Sequence, residues 1–325
     1  MAGKQRDTPV ECEHVLPTAS ERMRPADVPK ERLAAVLGLI SDTHIPDRCP
    51  FLPPSALTVF EDVHLILHAG DIGDMRVLDE LSSAAPVVAV HGNDEAVPGA
   101  QELLPLQQVI SVNRHRICLT HGHDPDRQRE KDDRWAGKHA RLAHQAITAG
   151  AQILLYGHTH VPGVARSQGV WLINAGALAS GSYATRQRAQ TVALIYLRDD
   201  GVPFTIHVDL ARPDVPKVLA TDWARGYRAT AGEAEEPIYS PAARFLWQQA
   251  WEWGSRDPDR LYSRLRDLFR VLSYRCWSGE QERIDASDVL ERLDSFEPAS
   301  ERDSLRAALQ AAMSTYSLSE PLPGR

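Results

Sequence analysis

Five short stretches of this chain collect residues able to hold a transition metal. They are Asp42-Thr43-His44, His68-Ala69-Gly70-Asp71, Gly92-Asn93-Asp94, His121-Gly122-His123 and Gly157-His158-Thr159-His160. Carboxylates, imidazoles and an amide oxygen suit a first-row divalent cation, whereas a soft site would be built from thiolates. Asp42, His44, Asp71, Asn93, His121, His158 and His160 are more ligands than one ion accepts. Two cations sharing a carboxylate use such a set naturally, and at ~3.5–4 Å apart they activate a bridging hydroxide against phosphorus. A lone D-x-H or G-H-x-H carries little weight. The signal is their order along the chain, each directly behind an apolar run.

Those runs are the elements that must position the ligands. Apolar stretches recur at 35–41, 65–69, 87–90, 117–120, 153–156, 170–173, 191–197 and 204–208, most of them bounded by Gly or Asp. Short continuous runs of this kind mark strands buried on both faces. Between the first three lie helical stretches, 53–60 and 74–83, the latter placing Val77, Leu78 and Leu81 on one face. Strand–helix–strand alternation implies parallel pairing with right-handed crossovers. The runs at 109–112 and 116–120, and those at 191–197 and 204–208, are separated by short turns and read as antiparallel hairpins. The first two-thirds of the chain is therefore a mixed α/β layer structure. In an open α/β sheet the ligand crevice lies at the carboxyl ends of the strands, where all five stretches fall.

Outside 34–210 the texture changes. Residues 1–33 read as a flexible leader interrupted by Pro9, Pro17, Pro25 and Pro29, with no apolar stretch fit for a signal peptide or anchor. Residues 211–240 read as a linker or wrap. From 241 to 325 the pattern is helical: Ser240-Pro241 starts one helix, Asp257-Pro258 a second ending near Gly279, and 286–293 and 301–313 follow.

On these motifs the chain resembles the calcineurin-like metallophosphoesterases, whose ordered signatures are D-x-H, G-D, G-N, a lone His and G-H-x-H. The resemblance spans roughly 35–210 and is strongest to the small bacterial and archaeal phosphodiesterase branch, which also contains a eukaryotic retromer scaffold subunit. "LGLISDTHIP", "ILHAGDI" and "LLYGHTHVP" carry it. It implies an αββα sandwich of two mixed β-sheets flanked by helices, here with a C-terminal helical extension. It also implies one metal on Asp42, His44, Asp71 and His160, and a second on Asp71, Asn93, His121 and His158, with Asp71 bridging. Mn²⁺ is the implied metal; the mixed N/O shell would also take Fe, Zn, Ni, Co or Mg.

Two departures from the family pattern matter. Many relatives follow the motif Asn with a His that protonates the leaving group, and here that position is Asp94, followed by Glu95. An Asp beside two cations stays ionised and makes a poor general acid, which favours diesters over monoesters. The branch's N-P-G-S is replaced by Asn174-Ala175-Gly176-Ala177, keeping the Asn and Gly and losing a hydroxyl.

Other residues have blander readings. His68 and His91 read as packed or solvent-facing. His123, two residues past His121, is the unassigned candidate for a phosphate contact, and joins Asp71, Asn93 and Asp94 as a catalytic candidate. The charges of 127–141 nearly balance and read as a solvated helix face. The Trp residues of 247–253 read as cement for a small helical core.

Composition bounds the function. The 325 residues hold 44 acidic and 36 basic side chains, a net charge of -8, which argues against a nucleic-acid or anionic-membrane coat. No run approaches the ~20 apolar residues of a membrane span. Four scattered cysteines suit reduced thiols in a cytoplasm. The expectation is a cytoplasmic, binuclear-metal phosphodiesterase acting on a small or nucleotide-derived diester, without stable nucleic-acid binding and compatible with a homo-oligomer. The alternatives are a nuclease using the helical tail as clamp, and a non-catalytic scaffold on the same fold.

Overall fold

In the computed structural model, residues 19–319 are described except 25, 27, 96–99, 131–133, 220, 257–262 and 296–298. The strands are β1 (Leu33–Ile40), β2 (Leu65–His68), β3 (Val87–Ala89), β4 (Gln107–Val112), β5 (His115–Thr120), β6 (Ile153–Tyr156), β7 (Gly163–Ser167), β8 (Val170–Asn174), β9 (Thr185–Gln187), β10 (Thr191–Arg198), β11 (Pro203–Asp209) and β12 (Glu235–Pro237). One sheet is ordered β11-β10-β1-β2-β3 and the other β4-β5-β6-β8-β7, with β9 and β12 paired separately. Each large sheet is parallel at its centre, β1 to β3 in one and β5, β6 and β8 in the other. Antiparallel hairpin strands complete the sheets: β10 and β11 on one, β4 and β7 on the edges of the other.

Period-two alternation inside the apolar runs builds the layers. Leu37 and Leu39 of β1 and Ala193, Ile195 and Leu197 of β10 face the other sheet, meeting Ile117, Leu119, Ile153 and Leu155. The alternate residues Val36, Ile40, Leu194 and Tyr196 face outward onto the helix Pro54–Val59 and its neighbours. On the far side Cys118, Leu154 and Tyr156 pack against Leu142, Ala143 and Ala146 of the helix Trp135–Thr148. Helix, sheet, sheet, helix is the αββα order. Both faces of every central strand are buried, so the strands read as unbroken apolar runs.

Three regions differ from the sequence reading. β7 carries little apolar pattern because it is an edge strand; its turn into β8 is Gln168-Gly169, both at positive φ, as a tight hairpin requires. Residues 127–141 are not simply a solvated face. Trp135 and Lys138 are buried, and Trp135 meets Trp223 edge-on with ring centroids 4.8 Å apart. The cover comes from residues 211–240, which hold a helix, Tyr227–Ala234, and β12, paired with β9. Residues 1–18 of the expected leader lie outside the described residues, while Val28 is buried and Tyr196 donates its hydroxyl to the Ser20 carbonyl at 2.9 Å.

The C-terminal helices Pro241–Arg256, Ser263–Trp277, Ala286–Arg292 and Ala299–Ser319 enclose a core of their own around Leu246, Leu268, Phe269, Leu272, Val289 and Leu309. The start expected at Asp257-Pro258 lies outside the described residues. Trp247 and Trp253 pack on that core while Trp251 is exposed. The unit docks through Ser273 Oγ and Trp277 Nε1, which donate to the carbonyls of Tyr183 (2.6 Å) and Thr185 (3.0 Å). No helix among the described residues is long and apolar enough to cross a membrane.

The sheet leaves no room for a side chain at Gly38. A Cβ built there would stand 2.6 Å from Phe60 Cδ1, and Phe60 is fully buried. Gly38→Ala should therefore lower unfolding stability by ~1–3 kcal/mol through overpacking. Urea denaturation of the full chain checks this; an unchanged midpoint would mean that Phe60 moves aside freely.

Candidate metal centre

The loops behind β1, β2, β3, β5 and β6 converge where the carboxyl ends of the two sheets meet. The sheets are stitched there by polar contacts: His121 Nδ1 lies 2.8 Å from the Ala69 carbonyl, and the His158 amide donates to Asp42 Oδ2 at 3.0 Å. Asp42 (φ 52°), His44 (44°), Asp71 (53°), His158 (65°) and His160 (56°) all adopt left-handed backbone. Such non-glycine residues are uncommon and strained, and they collect at functional sites. Asp42 and Asp71 meet groups of the opposite sheet, His160 with the His158 amide and His121 respectively, while His44 contacts Asp71 on its own side.

Two overlapping sets of buried donor atoms result. Asp42, His44 and His160 offer atoms within 4.8 Å of one another, and so do Asp42, Asp71 and His121. Asp71 Oδ2, of the second set, lies 3.2 Å from His121 Nε2 and also 3.4 Å from His44 Nε2 of the first. His160 Nε2 lies 3.2 Å from Asp42 Oδ1, while its Nδ1 faces the Ala179 carbonyl at 2.8 Å. Backbone carbonyls thus take one nitrogen of His121 and His160 and leave the other turned inward, as ligating imidazoles require. Asn93 Oδ1 sits 3.1 Å from His121 Nε2. His158 differs: its Nε2 is 3.2 Å from Glu130 Oε1 and outside both sets.

The electrostatics match a cation site. Burial works against the Asp42 carboxylate, yet His160 and His121 bring it down to about 2. Burial likewise opposes Asp71, and His121 still holds it well below the usual carboxylate range. Burial would lower His121, but Asp71 raises it to about 9. Burial and the adjacent Arg48 push His44 down. Two buried carboxylates ringed by imidazoles with no lysine among them fit a divalent cation in charge and donor type.

Several residues brace these loops through bonds that the sequence reading did not assign. Glu95 accepts the backbone N–H groups of Gly92 (2.7 Å), Ile72 (2.9 Å) and Gly73 (3.3 Å), tying the loop of Asn93 to that of Asp71. His68 is packed, as expected, and also links loops: it accepts from the Gly70 amide at 3.2 Å and pairs with Thr43 Oγ1 at 3.1 Å, which donates to the Ile72 carbonyl. Asn174 holds the Gly157 carbonyl (2.8 Å) and Thr159 Oγ1 (3.1 Å), supporting the loop of His158 and His160. Glu130 was read as one charge among many on a solvated helix. Burial opposes its ionisation, but His158 brings it down to about 2.

Of the remaining candidates, His123 lies beside the centre, 5.5 Å from His121 and 6.0 Å from His158 between ring centroids. Burial and these two neighbours lower it to about 4, so it meets a ligand as a neutral imidazole. Asp94 is largely exposed, and its Oδ2 accepts from Arg48 Nη2 at 2.6 Å. The cleft over the centre holds about 350 Å³. Tyr227, Ala231 and Glu235, from the stretch read as a linker or wrap, line it without supplying a member of either donor set.

Gly92 allows the closest approach in the centre. A Cβ there would fall 1.9 Å from Asp71 Oδ1 and 2.5 Å from the Asp71 amide nitrogen. Gly92→Ala should displace that carboxylate and weaken metal affinity by ~10–100-fold, the scale seen when a ligand's support is lost. Titration with Mn²⁺ followed by calorimetry reads the effect; wild-type affinity would mean that the loop yields elsewhere.

Comparison with known proteins identifies the family. Residues 36–200 match the model of the calcineurin-like phosphoesterase superfamily domain. A "Probable metallophosphoesterase" of Methanothermobacter thermautotrophicus is 34% identical over 166 residues, 51% of this chain and 87% of that protein. One of Methanocaldococcus jannaschii is 34% identical over 141 residues, 43% of this chain and 67% of that protein. Among solved structures, vacuolar protein sorting 29 of Cryptosporidium parvum is similar at TM-score 0.47 and 23% identity, covering 57% of this chain and 96% of that one. A structure described as a novel archaeal phosphodiesterase is similar at TM-score 0.38 and 20% identity, covering 53% and 99%. With the ordered motifs and the family model covering the same strands and loops, the chain belongs to the calcineurin-like phosphoesterase superfamily.

Proposed function

We propose that this protein is a metal-dependent phosphodiesterase with a binuclear centre, acting on a small or nucleotide-derived diester. The observation that carries the reading is the pair of buried donor sets sharing Asp42 and linked by Asp71, a member of one whose Oδ2 also reaches His44 of the other. Asp42, His44, Asp71 and His160 would hold one cation, and Asp71, Asn93, His121 and His158 the other. Mn²⁺ is our choice for the native metal. Two such ions supply positive charge against the phosphate oxygens and lower the pKa of a bound water. His158 must then exchange its contact with Glu130 for this role, and Glu130 keeps a second partner in Lys138 Nζ at 3.3 Å.

The chain's own residues set the substrate. A cleft of about 350 Å³ admits a compact ester, and Tyr227 and Glu235 close its outer side. Glu235 is anchored by the Gly181 amide and Thr185 Oγ1, both at 2.7 Å, so this wall is built rather than draped. His123 offers a neutral ring beside His121 and His158 for a phosphate oxygen. Asp94 already accepts from Arg48 and offers no proton to a leaving oxygen. A diester with an aryl or nucleotide leaving group needs that proton less than an alkyl monoester does. Cys49, Cys118 and Cys276 are buried free thiols, in keeping with a cytoplasmic location.

Metal analysis of the purified, Mn²⁺-reconstituted protein should give close to two ions per chain. Asp71→Asn should reduce both metal content and turnover, the latter by ~100-fold or more, because a shared anionic ligand is lost. One ion or none in the wild type would defeat the binuclear reading.

Wild type should turn over bis-p-nitrophenyl phosphate faster than p-nitrophenyl phosphate. Asp94→His, which installs a proton donor, should shift that ratio toward the monoester at unchanged metal content. General-acid assistance is worth ~10²–10⁴-fold, enough to register clearly. A wild-type preference for the monoester, or an unmoved ratio, would remove Asp94 from this role.

A further inference from the structure

Arg48 is a cation in an unexpected place. The turn after β1 carries the chain from Asp42 and His44 to Arg48, whose amide donates back to the His44 carbonyl at 2.9 Å. The residue is only 7% exposed, yet it lines the cleft beside Asp71, Asn93, His158 and His160. Nη1 donates to the Ser180 carbonyl at 2.9 Å. Nη2 donates to Asp94 Oδ2 at 2.6 Å and lies 2.6 Å from His44 Nδ1 and 3.0 Å from its Nε2. Nε is buried without a hydrogen-bond partner, the nearest acid being Asp47 at 3.9 Å.

These contacts do not satisfy a buried guanidinium. Taking a charge out of water is unfavourable unless close partners replace the lost hydration. The close counter-ion, Asp94, is itself 61% exposed at the cleft rim. The contact with His44 also fails once His44 serves as a ligand. A neutral imidazole that ligates through Nε2 carries its proton on Nδ1, so Nη2 at 2.6 Å would face a donor with a donor. The guanidinium then needs another acceptor within the cleft. Its planar fork matches the oxygens of a phosphate.

We propose that Arg48 is a phosphate-binding residue of this cleft: its guanidinium grips a non-bridging oxygen of the ester, and Asp94 holds it in position between turnovers. The proposal rests on the phosphodiesterase reading for the identity of the ligand. It assigns Asp94 a second duty, that of a tether competing with substrate for the same guanidinium.

The test is calorimetric binding of inorganic phosphate to the full-length, Mn²⁺-loaded chain, which needs no turnover. Arg48→Gln should weaken phosphate by ~10–100-fold, the scale of a charge-assisted hydrogen bond, and raise KM for the bis-ester more than it lowers kcat. Arg48→Lys should restore part of the binding. Asp94→Asn should tighten phosphate in the wild-type background and have no such effect in the Arg48→Gln background. Metal content and thermal midpoint should hold in the Lys variant. Unchanged phosphate affinity in both Arg48 variants, or a wild type that binds no phosphate, would overturn the proposal. So would weakening by Asp94→Asn, which would make Arg48 a brace of its turn. A wild type that binds phosphate through Arg48 yet hydrolyses neither ester would sustain the site and refute the phosphodiesterase reading.

Discussion

Burying Asp42 and Asp71 is the constraint around which the two-sheet unit is arranged. Asp42 is inaccessible to solvent and Asp71 only 3% exposed. An ionised carboxylate in such a place is tolerated only when charge and hydrogen bonds replace the water it lost. The replacements come from both sheets: His160 and the His158 amide on Asp42, His121 and the Asp94 amide on Asp71. No single sheet could provide them. The site therefore exists only where the two sheets abut, and the apolar layer of Leu37, Leu39, Ile117 and Ile153 that joins them is indirectly part of it.

The same constraint explains the backbone. Holding side chains from two sheets on one point requires abrupt turns, and five of the converging residues pay with left-handed φ. Conformations of this kind cost ~1–3 kcal/mol each and persist where the surroundings over-determine them. Glu95, His68 and Asn174 do that here, each bonding loop to loop rather than touching the donor atoms. The strain is sustained by a polar scaffold one layer beneath the centre.

A second arrangement depends on the first. The segment around Trp223, Tyr227 and Glu235 returns across the cleft and is locked against Trp135 and Gly181. Tyr227 and Glu235 of this segment line one side of the cleft over the donor sets. The C-terminal helices then pack behind β9 through Tyr183 and Thr185, which steadies the loop bearing Glu235's partners. Among the described residues, the tail meets the sheet unit at Tyr183 and Thr185, away from both donor sets.

Much of this was legible in the chain itself. The strands announced themselves because both their faces are buried, which forces continuous apolar runs. The donor residues were legible because each stands directly after such a run, and carboxylates and imidazoles in that order have few structural uses. β7, β9 and β12 were not legible, being edge or isolated strands with one wet face. The placement of Glu130 against His158, of Arg48 between His44 and Asp94, and of Tyr227 at the cleft wall had no local signature. Each is a long-range meeting of segments whose own sequences read as charged helix, turn and linker. Residue type and order determined which chemistry was available; the abutment of two sheets and the return of the chain after β11 decided which side chains could share it, because proximity in a fold is a property of packing and not of spacing along the chain.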